Sequence, residues 1–201
     1  MKLNRLFQTA TLFIVLILIG TACAAQAPAD GKDESIPMNS QNLKTLVVYF
    51  SHSGNTKIVA QEIAAELGAD VFQIETTNAY PKDYKATVDL ARKEQDQNAR
   101  PKLKRVPENI GSYDVVFVGS SNWWGTFPMG MFTLLESVNL AGKIVVPFCT
   151  HEGSGLGRIP SDVAKFAPKS RMLSGLAIRG GSAANSKREI NNWLKGLKIT
   201  K

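Results

Sequence analysis

A chain of 201 residues, 44% hydrophobic and 20% charged, is long enough for one packed domain of ordinary size plus extra segments. The net charge of +7 at pH 7 raises nucleic acid as a partner, but that reading needs basic residues interleaved with exposed aromatics on one face. The densest basic run, Arg100-Pro101-Lys102-Leu103-Lys104-Arg105, contains no aromatic, so no nucleic-acid partner is expected, and a solvated loop or an anionic envelope surface suits it better.

At the start of the chain Lys2 and Arg5 precede an uninterrupted apolar run over residues 12–19, too short for a comfortable membrane span and right for a signal-peptide core. The Gly20-Thr21-Ala22-Cys23 that follows resembles a bacterial lipobox, which implies cleavage before Cys23 and a lipid on its sulfur. Gly20 stands where that pattern usually has Leu. Ordinary cleavage within Ala22-Cys23-Ala24 and an uncleaved anchor therefore stay open. Residues 1–23 are assigned to this leader, and the expected location is outside the cytoplasm, tethered to the cell membrane. From 24 to 42 the composition turns to Ala, Gln, Pro, Asp, Ser and Asn without apolar periodicity, which reads as a flexible linker. Residues 43–201 form the expected domain, and they carry the whole charge surplus.

Leu46-Val47-Val48-Tyr49-Phe50 reads as a buried strand. It runs into Ser51-His52-Ser53-Gly54-Asn55-Thr56, and behind that loop Val59, Ile63 and Leu67 share one helical face before Gly68 ends the pattern. Strand, hydroxyl-rich loop and helix N-terminus together suit a phosphate: the unpaired amides of the first turn and the helix dipole both favour an anion. The hydroxyls of Ser51, Ser53 and Thr56 can donate as well. The loop is neither a P-loop nor a three-glycine dinucleotide turn.

Residues 69–75 alternate well enough for a second, more peripheral strand. After a break at 79–83, Tyr84, Val88 and Ala91 keep helical spacing in a polar segment to about Asn98. Residues 113–119 make a clear buried strand. The loop beyond it, from Ser120 to Pro128, holds Trp123 and Trp124 side by side. Neighbouring side chains in an extended loop point apart, so packing explains one of them and the other is free to cover something flat. Met131, Leu134, Leu135 and Val138 then share a helical face.

Residues 143–149 form a further buried strand that ends in Cys149, read as a buried small hydrophobe. The sequence has two cysteines and no CxxC, which suggests neither a metal site nor a redox dithiol. Next, Thr150-His151-Glu152-Gly153-Ser154-Gly155-Leu156-Gly157 brings three glycines that let backbone approach a ligand. Pro160-Ser161-Asp162 opens a short helix. Residues 173–179 are a weaker fifth strand, interrupted by Gly175. At the C-terminus Ser186-Lys187-Arg188-Glu189 reads as a capping box, followed by Ile190, Trp193, Leu194 and Leu197 on one face, with Trp193 in the core.

Five strands alternating with helices predict an α/β fold, a doubly wound five-stranded parallel sheet with helices on both faces. Ligands bind such sheets beyond the carboxyl ends of the strands, at the switch point. The loops after strands 1, 3 and 4 are the ones to inspect.

These loops carry a resemblance. Ser51 to Thr56 fit the phosphate loop of the flavodoxin-like family, Ser/Thr-x-Ser/Thr-Gly-x-Thr, position for position. Asn122-Trp123-Trp124-Gly125-Thr126 and the insert between Tyr80-Pro81 and Pro101 look like a bacterial short-chain branch of it. The resemblance implies strand order 2-1-3-4-5 and FMN as cofactor. It implies that Ser51, His52, Ser53, Gly54, Asn55 and Thr56 hold the phosphate. Ser120, Asn122, Trp123, Trp124, Gly125 and Thr126 would then flank the ring, with Thr150, His151, Glu152, Gly153, Ser154 and Gly155 opposite. A backbone amide near Gly125 is the candidate donor to the flavin N5 edge. Glu152 by the pyrimidine edge would lower the potential. His151 is either a donor to the ring or an exposed loop histidine.

Two departures from the family matter. Its electron carriers are usually acidic and commonly lay an aromatic on the outer flavin face from the loop after strand 4. This domain is basic and that loop has no aromatic. The function expected is electron transfer through FMN, leaning to an oxidoreductase linked to NAD(P)H or a quinol at the envelope, with nicotinamide, quinone or a redox protein as donor or acceptor. No catalytic residue and no metal ligand is singled out. One-electron carriage to protein partners is the alternative, as is a non-redox binding module that has lost FMN, since a chain exported unfolded must find FMN outside the cytoplasm.

Overall fold

The computed structural model describes residues 43–199. The leader 1–23 with Cys23 and the linker 24–42 lie outside the described residues. Within them no helix is long and apolar enough to cross a membrane.

β1 (Thr45–Tyr49) is buried from Leu46 onward, which is why its sequence does not alternate: helices cover both faces of the sheet at this position. β2 (Asp70–Gln73) pairs with it on one side and β3 (Val115–Ser121) on the other, both in parallel. β4 (Ile144–His151) continues outward from β3. The order β2-β1-β3-β4-β5 is the expected one, and the sheet changes direction between β1 and β3. Among the described residues α1 (Asn55–Leu67), α2 (Tyr84–Asp96), α3 (Met129–Ser137) and α4 (Ile159–Phe166) connect the strands, and α5 (Lys187–Gly196) follows the last of them. α1 packs with α5, whereas α3 packs with both α2 and α4, so two helical layers enclose the sheet.

The fifth strand position is broken in two. β5 (Arg171–Met172) pairs with Ile144 and Val145, and β6 (Leu176–Arg179) pairs with β4 from Phe148 to His151. Between them Leu173, Ser174 and Gly175 stand against Val146 and Pro147, three residues against two. Proline is the physical reason. Val145 directs its carbonyl to Leu173, so Pro147, two residues on, faces the same neighbour and has no N–H to give. A bulge forms where the ladder loses its donor. Gly175 fits there because a β-carbon would lie 2.8 Å from the Pro147 carbonyl oxygen.

Two local expectations change. Ser186 precedes α5 but makes no side-chain cap; its hydroxyl donates to the Ala183 carbonyl at 2.7 Å. The preceding 3₁₀ turn (Gly180–Asn185) already brings Ser186 in at helical angles, φ −87 and ψ 0, so the extended backbone of a capping box is not available. Tyr84, read on the inner face of α2, is 82% exposed, and Thr87 and Ala91 are the buried residues of that helix. Trp193 does pack on the sheet: its ring meets Phe117 edge-on at 5.7 Å, and its Nε1 donates to the Ser174 carbonyl.

Candidate functional site

The phosphate-type loop is built by β1 and α1. Gly54 is the N-cap of α1 at φ 98, a left-handed conformation that a β-carbon would strain. With no side chain there, the first amides of the helix receive no cap. Among the described residues the N–H groups of Gly54, Asn55 and Thr56 have no acceptor, whereas that of Lys57 donates to Ser51 Oγ at 3.2 Å. The Ser51 hydroxyl thus accepts from the helix and keeps its own proton for a ligand. Thr56 is buried, and its Oγ1 lies 2.8 Å from Thr150 Oγ1. If Thr56 donates, the Thr150 proton is left to point into the adjoining space.

That space is a cleft of about 790 Å³ at the switch point, lined by all three expected loops. The loop after β3 divides its tryptophans. Trp123 is half-buried in a ring cluster, with centroids 4.9 Å from Tyr80, 5.7 Å from Phe50 and 5.8 Å from His52, all edge-to-face. Trp124 is 47% exposed, in a left-handed conformation at φ 55. It is latched to α2: its Nε1 donates to the Val88 carbonyl, and the Arg92 guanidinium sits 5.2 Å from its ring.

Asn122 ties the two ring-flanking loops together. Its Oδ1 accepts from the Gly125 amide at 3.0 Å, and its Nδ2 donates to the Gly155 carbonyl at 2.8 Å. Gly157 (φ 54) closes against the Gly125 carbonyl, which also accepts from the Arg158 amide at 2.7 Å.

Of the expected site residues, the structure brings His52, Ser53, Asn55, Asn122, Trp123, Trp124, Thr150, His151, Glu152, Gly153 and Ser154 to the cleft wall. Ser51, Gly54 and Thr56 shape the cradle from behind. Four others lie off the cleft wall. Ser120 is fully buried and donates to the Ser121 carbonyl, because strand alternation turns it inward and turns Ser121 to the cleft. Thr126 is buried and donates to Asp162 Oδ2 at 2.6 Å. Gly125 spends its amide on Asn122, so it is not free for a ligand's N5 edge. Gly155 turns its carbonyl toward Asn122 and the Cys149 thiol. Cys149 is buried as expected, and burial pushes its thiol up to about 12, so it stays protonated and donates. The lining that sequence reasoning missed is Ser121 together with Lys82, Tyr84, Thr87, Val88 and Ala91. The helical spacing of Tyr84, Val88 and Ala91 marks that side of α2, but not that it faces a cleft.

Behind Trp123, the Tyr80 hydroxyl donates to Glu94 Oε2 at 2.6 Å. Burial first, and then the bond to Glu94, push the Tyr80 phenol above its ordinary range. Burial raises the Glu94 carboxyl too, against the opposing effect of that hydrogen bond. A raised carboxyl destabilises the folded state once it ionises: its contribution is fully favourable below the unfolded value and is lost as pH rises through the folded one. Glu94→Gln keeps an acceptor for Tyr80 and removes the charge. Thermal melts from about pH 4 to 7 should show the variant gaining on the parent as pH rises. Parallel curves would contradict this account of Glu94.

Comparison with known proteins agrees with this geometry. Residues 44–197 match the family model described as Flavodoxin. A Bacteroides eggerthii protein assigned as a flavoprotein is 32% identical, with 78% of this chain and 99% of that one covered and a TM-score of 0.69. A similarly assigned Bacteroides uniformis protein is 26% identical, covering 77% and 99%, with a TM-score of 0.68. The Lactobacillus acidophilus flavoprotein, solved in complex with FMN, shares the fold at 22% identity, covering 76% and 99%, with a TM-score of 0.61. No curated protein matches the chain. By its matched length and its sheet order, this chain belongs to the flavodoxin family.

Proposed function

We propose that this protein binds FMN in the switch-point cleft and transfers electrons through it to or from a small molecule. The observation that carries the reading is the row of amides at Gly54, Asn55 and Thr56, without partners among the described residues, beside the same cleft as Trp123. Family membership supports it, and so does the FMN complex of the Lactobacillus acidophilus relative.

The residues present fit this group. The amides and the Ser51 and Ser53 hydroxyls suit a phosphate and require no cation. Ser121 Oγ is buried at the cleft wall without a partner among the described residues, an acceptor and donor left for a ligand's polar edge. Trp123 offers apolar ring area that Tyr80, Phe50 and His52 hold in place. FMN, when bound, supplies the ring that takes up and releases electrons. The protein fixes its orientation and excludes water from one side.

The basic charge of the domain and the absence of an aromatic from 150–157 favour a reductase working on a nicotinamide or quinol donor and a quinone-type acceptor over a carrier docking with proteins. Steady-state NAD(P)H oxidation with a quinone separates the two. Placement at the envelope rests on the leader-like residues 1–23 alone, and fatty-acid labelling of Cys23 measures it.

Titrating the apo protein with FMN should quench flavin and tryptophan fluorescence together. Trp123→Ala should weaken binding by about tenfold or more, given the stacking area removed. A protein that takes up no FMN at micromolar concentration would remove the cofactor and every redox role with it.

A further inference from the structure

The three switch-point loops supply only part of the cleft lining. Lys82 and α2 supply the rest, and α2 is fixed there by the Trp124 bond to the Val88 carbonyl. Two side chains in this added wall matter here, and one of them, Tyr84, stands apart from others of its kind. Tyr49, Tyr80 and Tyr113 each donate their hydroxyl to a side chain, to Gln73, Glu94 and Asp70 in turn. Tyr84 donates to nothing among the described residues and is 82% exposed at the cleft. Of the cations on α2, Lys85 pairs with Asp89 and Arg92 with Asp96, whereas Lys93 has no ion pair among the described residues. Lys82 forms no ion pair among the described residues.

Largely exposed, and with its hydroxyl donating to nothing among the described residues, Tyr84 adds little to the stability of the fold. Beside it are an unpaired ammonium and the apolar patch of Val88 and Ala91. An aromatic face, a free cation and an apolar floor together match a flat apolar ring that carries negative charge. The cleft's own carboxylate does not compensate Lys82. The Glu152 carboxyl lies over Gly180 and forms no ion pair with Lys82 among the described residues, and the Glu152 carbonyl accepts from Arg179. His52 and His151, the other titratable groups at the wall, add no negative charge.

We propose that Lys82 and Tyr84 form a subsite for a small planar aromatic anion, a sulfonated or carboxylated quinone being the type, which the cleft admits beside its cofactor. This rests on the FMN reading above and names the class of small molecule that shares the site.

The test uses the full-length, FMN-loaded protein and calorimetric titration with anthraquinone sulfonate and its neutral sulfonamide, which have nearly the same shape. The sulfonate should bind about 1.5-fold to fivefold more tightly at low salt, the range for a partly exposed charge pair. Lys82→Gln should abolish that preference and Lys82→Arg restore it. Tyr84→Ala should weaken both ligands, and in every variant the effect on these ligands should exceed any effect on FMN affinity. Equal binding of the two ligands, or a preference that survives Lys82→Gln, overturns the subsite. So does a parallel fall in FMN affinity, which would make these residues cofactor ligands. Should the protein take up no FMN, the cofactor reading fails by itself. A Lys82-dependent preference for the sulfonate in that apo protein would still uphold the subsite, and its absence would overturn it.

Discussion

Gly119→Ala is expected to cost the domain about 3 kcal/mol or more, enough to remove a large share of an ordinary domain's stability. Gly119 lies in β3 between Tyr49 on β1 and Phe148 on β4, in register with both. A methyl group placed there would occupy the same space as the Phe148 ring, which is fully buried. Relief requires that ring to move, and a close-packed interior leaves it nowhere to go without shifting β4. Urea denaturation measures the effect. A second substitution distinguishes this cause from a general intolerance of the strand: Phe148→Leu, costly by itself, should recover part of the loss when combined with Gly119→Ala. Strictly additive effects would show that the ring is not the obstacle.

The second large effect falls on binding. Gly157→Ala should weaken FMN by about tenfold to a hundredfold, while the apo protein loses only about 1 to 2 kcal/mol. At φ 54 the alanine backbone is strained, and its β-carbon would crowd the Gly125 carbonyl and come within 3.0 Å of Asn122 Nδ2. Asn122 holds the loops after β3 and β4 together through Gly125 and Gly155, so forcing them apart disturbs both flanks of the cleft at once. Fluorescence titration with FMN reads the first number and a melt of the apo protein reads the second. Gly181→Ala is the control, since nothing lies within 4 Å of its added carbon and its φ is ordinary. A Gly157→Ala protein that binds FMN like the parent would show that the cleft does not depend on this closure.

The parts of the molecule that could be read from the chain are those where local chemistry and tertiary place agree. The run from Leu46 to Phe50 can only be buried, and Gly54 can only be a turn, so β1, its loop and α1 follow almost residue by residue. The doubled tryptophan announced one packed ring and one exposed ring, but not which was which. That choice depends on Tyr80, 43 residues earlier, and on a helix that latches Trp124. α2 itself was legible as a helix and illegible as a wall. Helical spacing shows that Tyr84, Val88 and Ala91 share a side, not whether that side meets a sheet or a cleft. Ser120 and Ser121 exchanged roles because the phase of a strand end is lost as soon as the strand runs two residues longer than expected. Pro147 held the information for the broken fifth position. Its missing donor matters only once β4 is known to have a neighbour on that side.

That break has a consequence for the protein in company with other copies of itself. An open sheet ends in rows of unsatisfied backbone groups, and a long straight one is a template on which a foreign strand can add. Here the outermost position is two short pieces of two and four residues, offset by a bulge. An incoming strand would meet a change of register after two residues, too few for a stable pairing. One proline in an inner strand thereby makes this edge of the sheet a poor template for a further strand.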